Sequence, residues 1–181
     1  MWFPDKHYRT WRPCYKPGVH ANIQAVFHIV LVEPEIPPNT GNIARLCLAA
    51  DAHLHLVGPL GFSLDDRYLR RAGMDYWEQV RVTVWESWES FRAACLDGQP
   101  VRHYLLTTKS QRAYWDAAFL PGDYLIFGRE TRGLPESLLA EWPERTLTIP
   151  MAPAARSLNL ATAAGIVLFE ALRQTATTAA R

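Results

Sequence analysis

Ile149-Pro150-Met151-Ala152-Pro153-Ala154-Ala155-Arg156-Ser157-Leu158-Asn159-Leu160-Ala161 is the stretch on which the reading of this chain turns. A loop of Pro and Ala carries three polar residues, Arg156, Ser157 and Asn159, into a mostly apolar run. Ser and Asn are expected where a helix begins, because their side-chain oxygens accept from the first unpaired backbone amides. Capping accounts for neither the arginine nor the Ile-Pro-Met turn ahead of it. The segment therefore reads as a helix start that also serves a site. The helix it opens, predicted over 157–174, is apolar almost all round. Ala163, Ala164 and Gly165 suggest close packing, and Ile166, Val167, Leu168 and Phe169 need burial on both sides.

Upstream of that helix, short apolar runs alternate with helical patterns. Strands are predicted at 27–33, 53–57, 80–84, 101–107, 124–127 and 146–149, and helices at 42–50, 65–71, 88–96 and 136–141. Strands alternating with helices predict an α/β fold, a parallel sheet flanked by helices on both faces. Neither GxGxxG nor a Walker A motif occurs, so a classical dinucleotide or P-loop fold is not indicated.

At 181 residues and 49% hydrophobic content, the chain is long enough for one domain with a substantial core. Cys14, Cys47 and Cys95 are far apart, with no CxxC, which suggests neither a disulfide framework nor a zinc site and fits a reducing, cytoplasmic setting. The N-terminus lacks an uninterrupted apolar run, and the long apolar helix carries Asn159, Thr162 and Glu170, which argues against a membrane span. Residues 1–26, with scattered Trp and Pro and no periodicity, are expected to be an extension outside the domain, and Val26 stands where a true initiator Met would fit. Lys6, Arg9, Arg12 and Lys16 against Asp5 give them +3, so the rest of a chain of net +1 carries −2. Any RNA must be met by a local patch. Arg67, Arg70 and Arg71, with Arg45, Arg129, Arg132 and Arg156, supply one, although the Arg70-Arg71 pair beside two acids also reads as a solvated helix face.

His53 and His55 fall on one strand face with no third ligand apparent, so no metal site is expected. Tyr76, Trp77, Trp85 and Trp88 are suited to stacking on bases but more often fill a core or an interface, and are read that way.

Two further segments resemble sites rather than scaffold. Asn39-Thr40-Gly41-Asn42-Ile43-Ala44-Arg45 places Asn39 and Gly41 at a predicted helix entrance, where free amides form a phosphate cradle, with Arg45 further in. On spacing alone, Arg45 reads as a surface capping or ion-pairing residue, and only the Asn39-x-Gly41-x-x-x-Arg45 context reverses that. Phe127-Gly128-Arg129-Glu130-Thr131-Arg132-Gly133-Leu134-Pro135 ends a strand in a glycine-rich loop that either lets a ligand approach the backbone or is an ordinary tight turn. Glu130 there is placed to orient Arg45 or an active-site amide.

Taken in order, the three segments resemble the motif signature of the SPOUT (SpoU-TrmD) RNA methyltransferases, and within them the TrmL-type tRNA (cytidine(34)-2'-O)-methyltransferases, over about 27–174. The stretch Glu33-Pro34-Glu35-Ile36-Pro37-Pro38-Asn39-Thr40-Gly41-Asn42 at the start of a minimal domain favours that group. The resemblance implies a SPOUT α/β knot, in which the C-terminal segment makes a deep trefoil knot, and a homodimer. It implies S-adenosylmethionine as cofactor and methylation of the ribose 2'-hydroxyl of wobble nucleotide 34 in tRNA, with leucine tRNAs as substrates and no DNA or membrane partner. Alternatives are a 2'-O-methyltransferase acting on another tRNA or rRNA nucleotide, or a module that binds without catalysis. Leu106, Gly128, Ile149 and Ser157 match cofactor positions; Asn39, Arg45, Glu130, Ser157 and Asn159 match catalytic ones. Arg45 serves as base or by orientation; a guanidinium stays protonated in proteins, which favours orientation. Asn159 is alternatively a cap. Residues 175–181 read as a tail.

Overall fold

The computed structural model describes residues 26–64, 77 and 79–176. The expected helix at 65–71 with its three arginines, Tyr76, Cys14, residues 1–25 and the end of the tail lie outside the described residues.

β1 (His28–Val32), β2 (His53–Val57), β3 (Val82–Trp85), β4 (His103–Leu106), β5 (Tyr124–Phe127) and β6 (Thr146–Leu147) form one sheet in the order β3-β2-β1-β5-β4-β6. Every pairing is parallel, with His28 opposite both His53 and Tyr124. The sheet is the middle of three layers. Because successive strand residues face opposite ways, Ile29, Leu31, Leu54, Leu56, Leu125 and Phe127 join one core. It contains Ile43 and Cys47 of α1 (Pro37–Ala49) and Val167 and Leu168 of α4 (Leu160–Thr175). Val30, Val32, Val57, Leu105 and Ile126 join the other, with Phe91 of α2 (Trp88–Cys95) and Leu138 and Leu139 of α3 (Glu136–Glu141). The near-continuous hydrophobic strands follow from burial on both faces.

Two helix starts differ from expectation. α1 begins at Pro37, five residues early, because a proline at the first helical positions has no amide to leave unpaired and its φ is already helical. α4 begins at Leu160, with 155–159 in irregular backbone, so Ser157 is not a cap and Asn159 alone fills that role. Single-turn 3-10 segments, Tyr114–Asp116 and Pro143–Arg145, were not expected. Gly165 is not a close-approach residue: among the described residues a Cβ there meets only Leu46 side-chain carbons, at 3.9 and 4.0 Å. Trp77 packs against the α1/α4 core, and Trp85 and Trp88 against the other, as core residues do. Among the described residues, no helix is long and apolar enough to cross a membrane.

Sequence order runs outward from β1 through β2 to β3, then resumes on the other side of β1. The order of the strands therefore reverses between β1 and β5, although the two run parallel. Ligands of open parallel sheets bind beyond the carboxyl ends of the strands at such a point.

Candidate functional site

A cleft of about 640 Å³ opens at that place, beyond the carboxyl ends of β4 and β5. Asn39, Leu106, Gly128, Glu130, Ile149, Ser157 and Asn159 all line it. Its base is apolar, with Phe127, Leu134 and Leu147 buried beneath it. Arg45 does not line the cleft. It is exposed on α1, on the outside of the element that carries Asn39 inward.

A hydrogen-bonded relay holds the three segments together. Oδ1 of Asn159 caps α4, accepting from the amides of Ala161 (2.9 Å) and Thr162 (3.2 Å). Its Nδ2 must then face away from the helix, and donates to Oδ1 of Asn39 at 2.8 Å. Asn39 in turn donates from Nδ2 to Oε1 of Glu130 at 3.1 Å. The Glu130 carboxylate also accepts from the backbone amides of Glu35 (2.8 Å) and Ile36 (3.2 Å). Glu35 answers across the same gap, accepting from the Thr131 amide at 3.1 Å and hydroxyl at 2.7 Å. Each amide orientation follows from the previous one, so the relay has one consistent direction ending on a carboxylate.

This geometry corrects the phosphate-cradle expectation at α1. Pro37 and Pro38 have no amide hydrogen, and the Asn39 amide bonds the Ile36 carbonyl at 3.0 Å. The donors that remain, on Glu35 and Ile36, are occupied by Glu130. An internal carboxylate sits where a bound phosphate would have to sit. Asn39 and Gly41 lie within the helix rather than opening a turn, and both are buried.

Gly128 is required by its own loop. A Cβ there would lie 2.1 Å from the Gly133 carbonyl carbon and 2.2 Å from the Leu134 amide nitrogen. Residues 129–133 fold back over Gly128, closed by amide-to-carbonyl bonds between Arg129 and Gly133, with Gly133 at φ +69°. Of the two readings of this loop, the tight turn alone already requires glycine at 128, because the space a side chain would take is occupied by backbone.

Charge is concentrated at the rim. Arg129 ion-pairs with Glu33, whose φ of +52° turns the chain sharply out of β1, and Lys109 ion-pairs with Glu136. Arg132 and Arg156 are exposed and line the cleft, and neither makes an ion pair among the described residues. Glu35 and Thr131 are the participants that sequence reasoning missed. Their one advance signal was an acid just ahead of a double proline.

The structure also supplies the third histidine that the sequence did not show. In-register pairing sets His28 of β1 beside His53 and His55, and ligand-competent atoms of the three lie within 4.8 Å of one another.

Comparison with known proteins places this geometry in a family. The profile of the SpoU rRNA Methylase family matches residues 26–169. The tRNA (cytidine(34)-2'-O)-methyltransferase of Burkholderia cenocepacia (strain HI2424) is 51% identical over 150 residues, which is 82% of this chain and 96% of that protein. A solved structure reported as "Structural insights into the 2-OH methylation of C/U34 on tRNA" is similar with TM-score 0.78 and 45% identity, over 83% of this chain and 96% of that one. The SpoU methyltransferase AviRb from Streptomyces viridochromogenes, solved in complex with AdoMet, is similar with TM-score 0.67 and 28% identity, over 85% of this chain and 60% of that one. A parallel α/β protein with its cleft at the switch point is thereby given its class: the chain belongs to the SpoU methylase family.

Proposed function

We propose that this chain is an S-adenosylmethionine-dependent methyltransferase that modifies the ribose 2'-hydroxyl of the wobble nucleotide, position 34, a cytidine or a modified uridine, of leucine tRNAs. The observation that carries this reading is the meeting of Asn39, Leu106, Gly128, Glu130, Ile149, Ser157 and Asn159 around one cleft, in a chain whose relatives at about half identity are named tRNA (cytidine(34)-2'-O)-methyltransferase. When bound, the cofactor supplies an electrophilic methyl group on a sulfonium. The cleft suits such a ligand in size and character, with an apolar base for a purine and backbone groups at Leu106, Gly128 and Ile149 to bond its edge.

Transfer to a hydroxyl is an in-line displacement, so alignment of the acceptor and exclusion of water decide the rate. The Glu130–Asn39–Asn159 relay is assigned the positioning task, because it fixes the loop after β1 against the loop after β5 and the start of α4. Arg45 is assigned to the target nucleotide's phosphate, acting by charge and orientation. Its place outside the cleft supports a role toward RNA rather than cofactor. Arg132 and Arg156, without carboxylate partners among the described residues, are suited to further phosphates.

The domain is proposed to span 27–174, with 1–26 an extension and 175–181 a tail, and to work as a cytoplasmic homodimer. Phe169, 53% exposed on α4, supports a further partner surface for that helix. A trefoil knot is proposed for the C-terminal segment. Support comes from the return of the chain from edge strand β6, past the cleft, to α4 packed on α1 and β5.

The test is incubation of the protein with unfractionated tRNA and methyl-labelled cofactor, followed by mapping of the label. Ribose label at position 34 of leucine tRNAs is expected. Label at another tRNA or rRNA nucleotide establishes the alternative enzyme, and cofactor binding without transfer establishes a non-catalytic module.

A further inference from the structure

At the opposite end of the sheet from the cleft, three imidazoles converge with no role in the proposed chemistry. His28 and His53 begin β1 and β2 side by side, and His55 is two residues along β2, buried. Nδ1 of His28 is 2.9 Å from Nε2 of His55, and the His53 ring is stacked on His55 at 4.3 Å between centroids. The rings are held from outside: Nε2 of His53 bonds the Thr83 hydroxyl at 2.9 Å, and the Trp85 indole donates to Nδ1 of His55 at 3.1 Å.

We infer that His28, His53 and His55 form a binding site for one divalent transition-metal ion of the zinc type. The ligand atoms already lie within 4.8 Å of one another. Tetrahedral coordination at about 2.05 Å would set them about 3.4 Å apart, a small contraction. Three neutral nitrogens with no carboxylate select zinc, cobalt, nickel or copper over magnesium or calcium, and leave a fourth position for water. His55 is buried and His28 and His53 are partly buried, which disfavours the charged imidazolium and leaves neutral, ligating rings. The nearby Arg81 guanidinium is paired with Asp51, which reduces its repulsion of a cation.

Trp85 makes the inference sharp. An indole only donates, so without metal Nδ1 of His55 carries the lone pair and Nε2 carries the proton shared with His28. Coordination through Nε2 displaces that proton, which moves to Nδ1, and the indole must then turn from His55. Metal and Trp85 therefore compete for one ring.

The experiment uses the full chain with His7 and His20 changed to Gln, stripped with chelator and titrated with Co2+ by visible absorption, then with Zn2+ in competition. One Co2+ per chain with a tetrahedral spectrum is expected. His28→Gln, His53→Gln and His55→Gln should each weaken binding by roughly tenfold or more, with folding of each checked in chelator by its melting curve. Trp85→Phe should tighten it by roughly fivefold to tenfold, the worth of one hydrogen bond removed from the metal-free state. Absence of saturable binding in the parent would overturn the site. So would binding that survives His53→Gln and His55→Gln unchanged, or weaker binding in Trp85→Phe.

Discussion

Asn159 donates from Nδ2 to Oδ1 of Asn39 at 2.8 Å, joining residues 120 positions apart. The bond exists because the same Asn159 side chain spends its oxygen on the amides of Ala161 and Thr162. One residue thus both starts α4 and fixes the orientation of Asn39, and the two tasks can be separated by mutation.

Asn159→Asp keeps the capping oxygen and replaces the donor with a second acceptor facing Asn39. Its melting temperature should stay near that of the parent while methylation falls about tenfold or more. Asn159→Ala should lose the cap as well, at about 1 kcal/mol. Paired denaturation and methyl-transfer measurements check this; equal activity in Asn159→Asp and the parent would show that the relay has no part in positioning.

Glu130→Gln is nearly isosteric but sets an amide group against three donors, the Glu35 and Ile36 amides and Nδ2 of Asn39. At least one of them loses its acceptor. A stability loss of about 1–3 kcal/mol is expected, with increased amide exchange at Glu35 and Ile36 relative to the sheet. Unchanged exchange there would mean that the carboxylate does not hold the loop.

Gly128 and Gly133 belong to one loop but should respond differently to alanine. Gly133→Ala meets no atom of the described residues within 4 Å and suffers from its positive φ, at about 1–2 kcal/mol. Gly128→Ala drives a Cβ into the Gly133 and Leu134 backbone and should cost about 3 kcal/mol or more. Chemical denaturation of the two variants compares the costs directly, and the reverse order would place the 129–133 loop elsewhere.

His103 supplies a pH dependence. Both its ring nitrogens are buried and find no hydrogen-bond partner among the described residues, and desolvation first, then Arg145, lowers its pKa from the ordinary 6.5 to about 4. The folded state therefore refuses a proton that the unfolded chain accepts below pH 6.5. Stability from this group is full above that value and is lost as pH falls through the window down to about 4. His103→Leu should remove this loss, so its advantage over the parent should widen by about 2 kcal/mol between pH 7.5 and pH 5. A constant difference across that range would assign the acid sensitivity to other groups.

Much of this architecture was legible along the chain. The runs at 124–127 and 136–141 coincide with β5 and α3 because both are bounded by residues that end an element locally: Gly122 and Gly128 around one, Pro135 and Pro143 around the other. The start of α1 at Pro37 is not legible locally, because prolines usually signal a break, yet at the first helical positions Pro37 and Pro38 are compatible with the helix.

Composition and hydrophobic periodicity were enough to specify a parallel α/β sheet, and the resemblance of three short motifs to a known family pointed to the residues that line the cleft, Arg45 excepted. Each is a local property, set by side-chain size, polarity and spacing. Tertiary structure alone decided that Glu130 fills the amides ahead of α1, that backbone excludes any side chain from Gly128, and that His28 completes a triad with His53 and His55. These depend on strand order and register, which bring residues tens of positions apart to within a few ångströms. No local pattern encodes such a meeting.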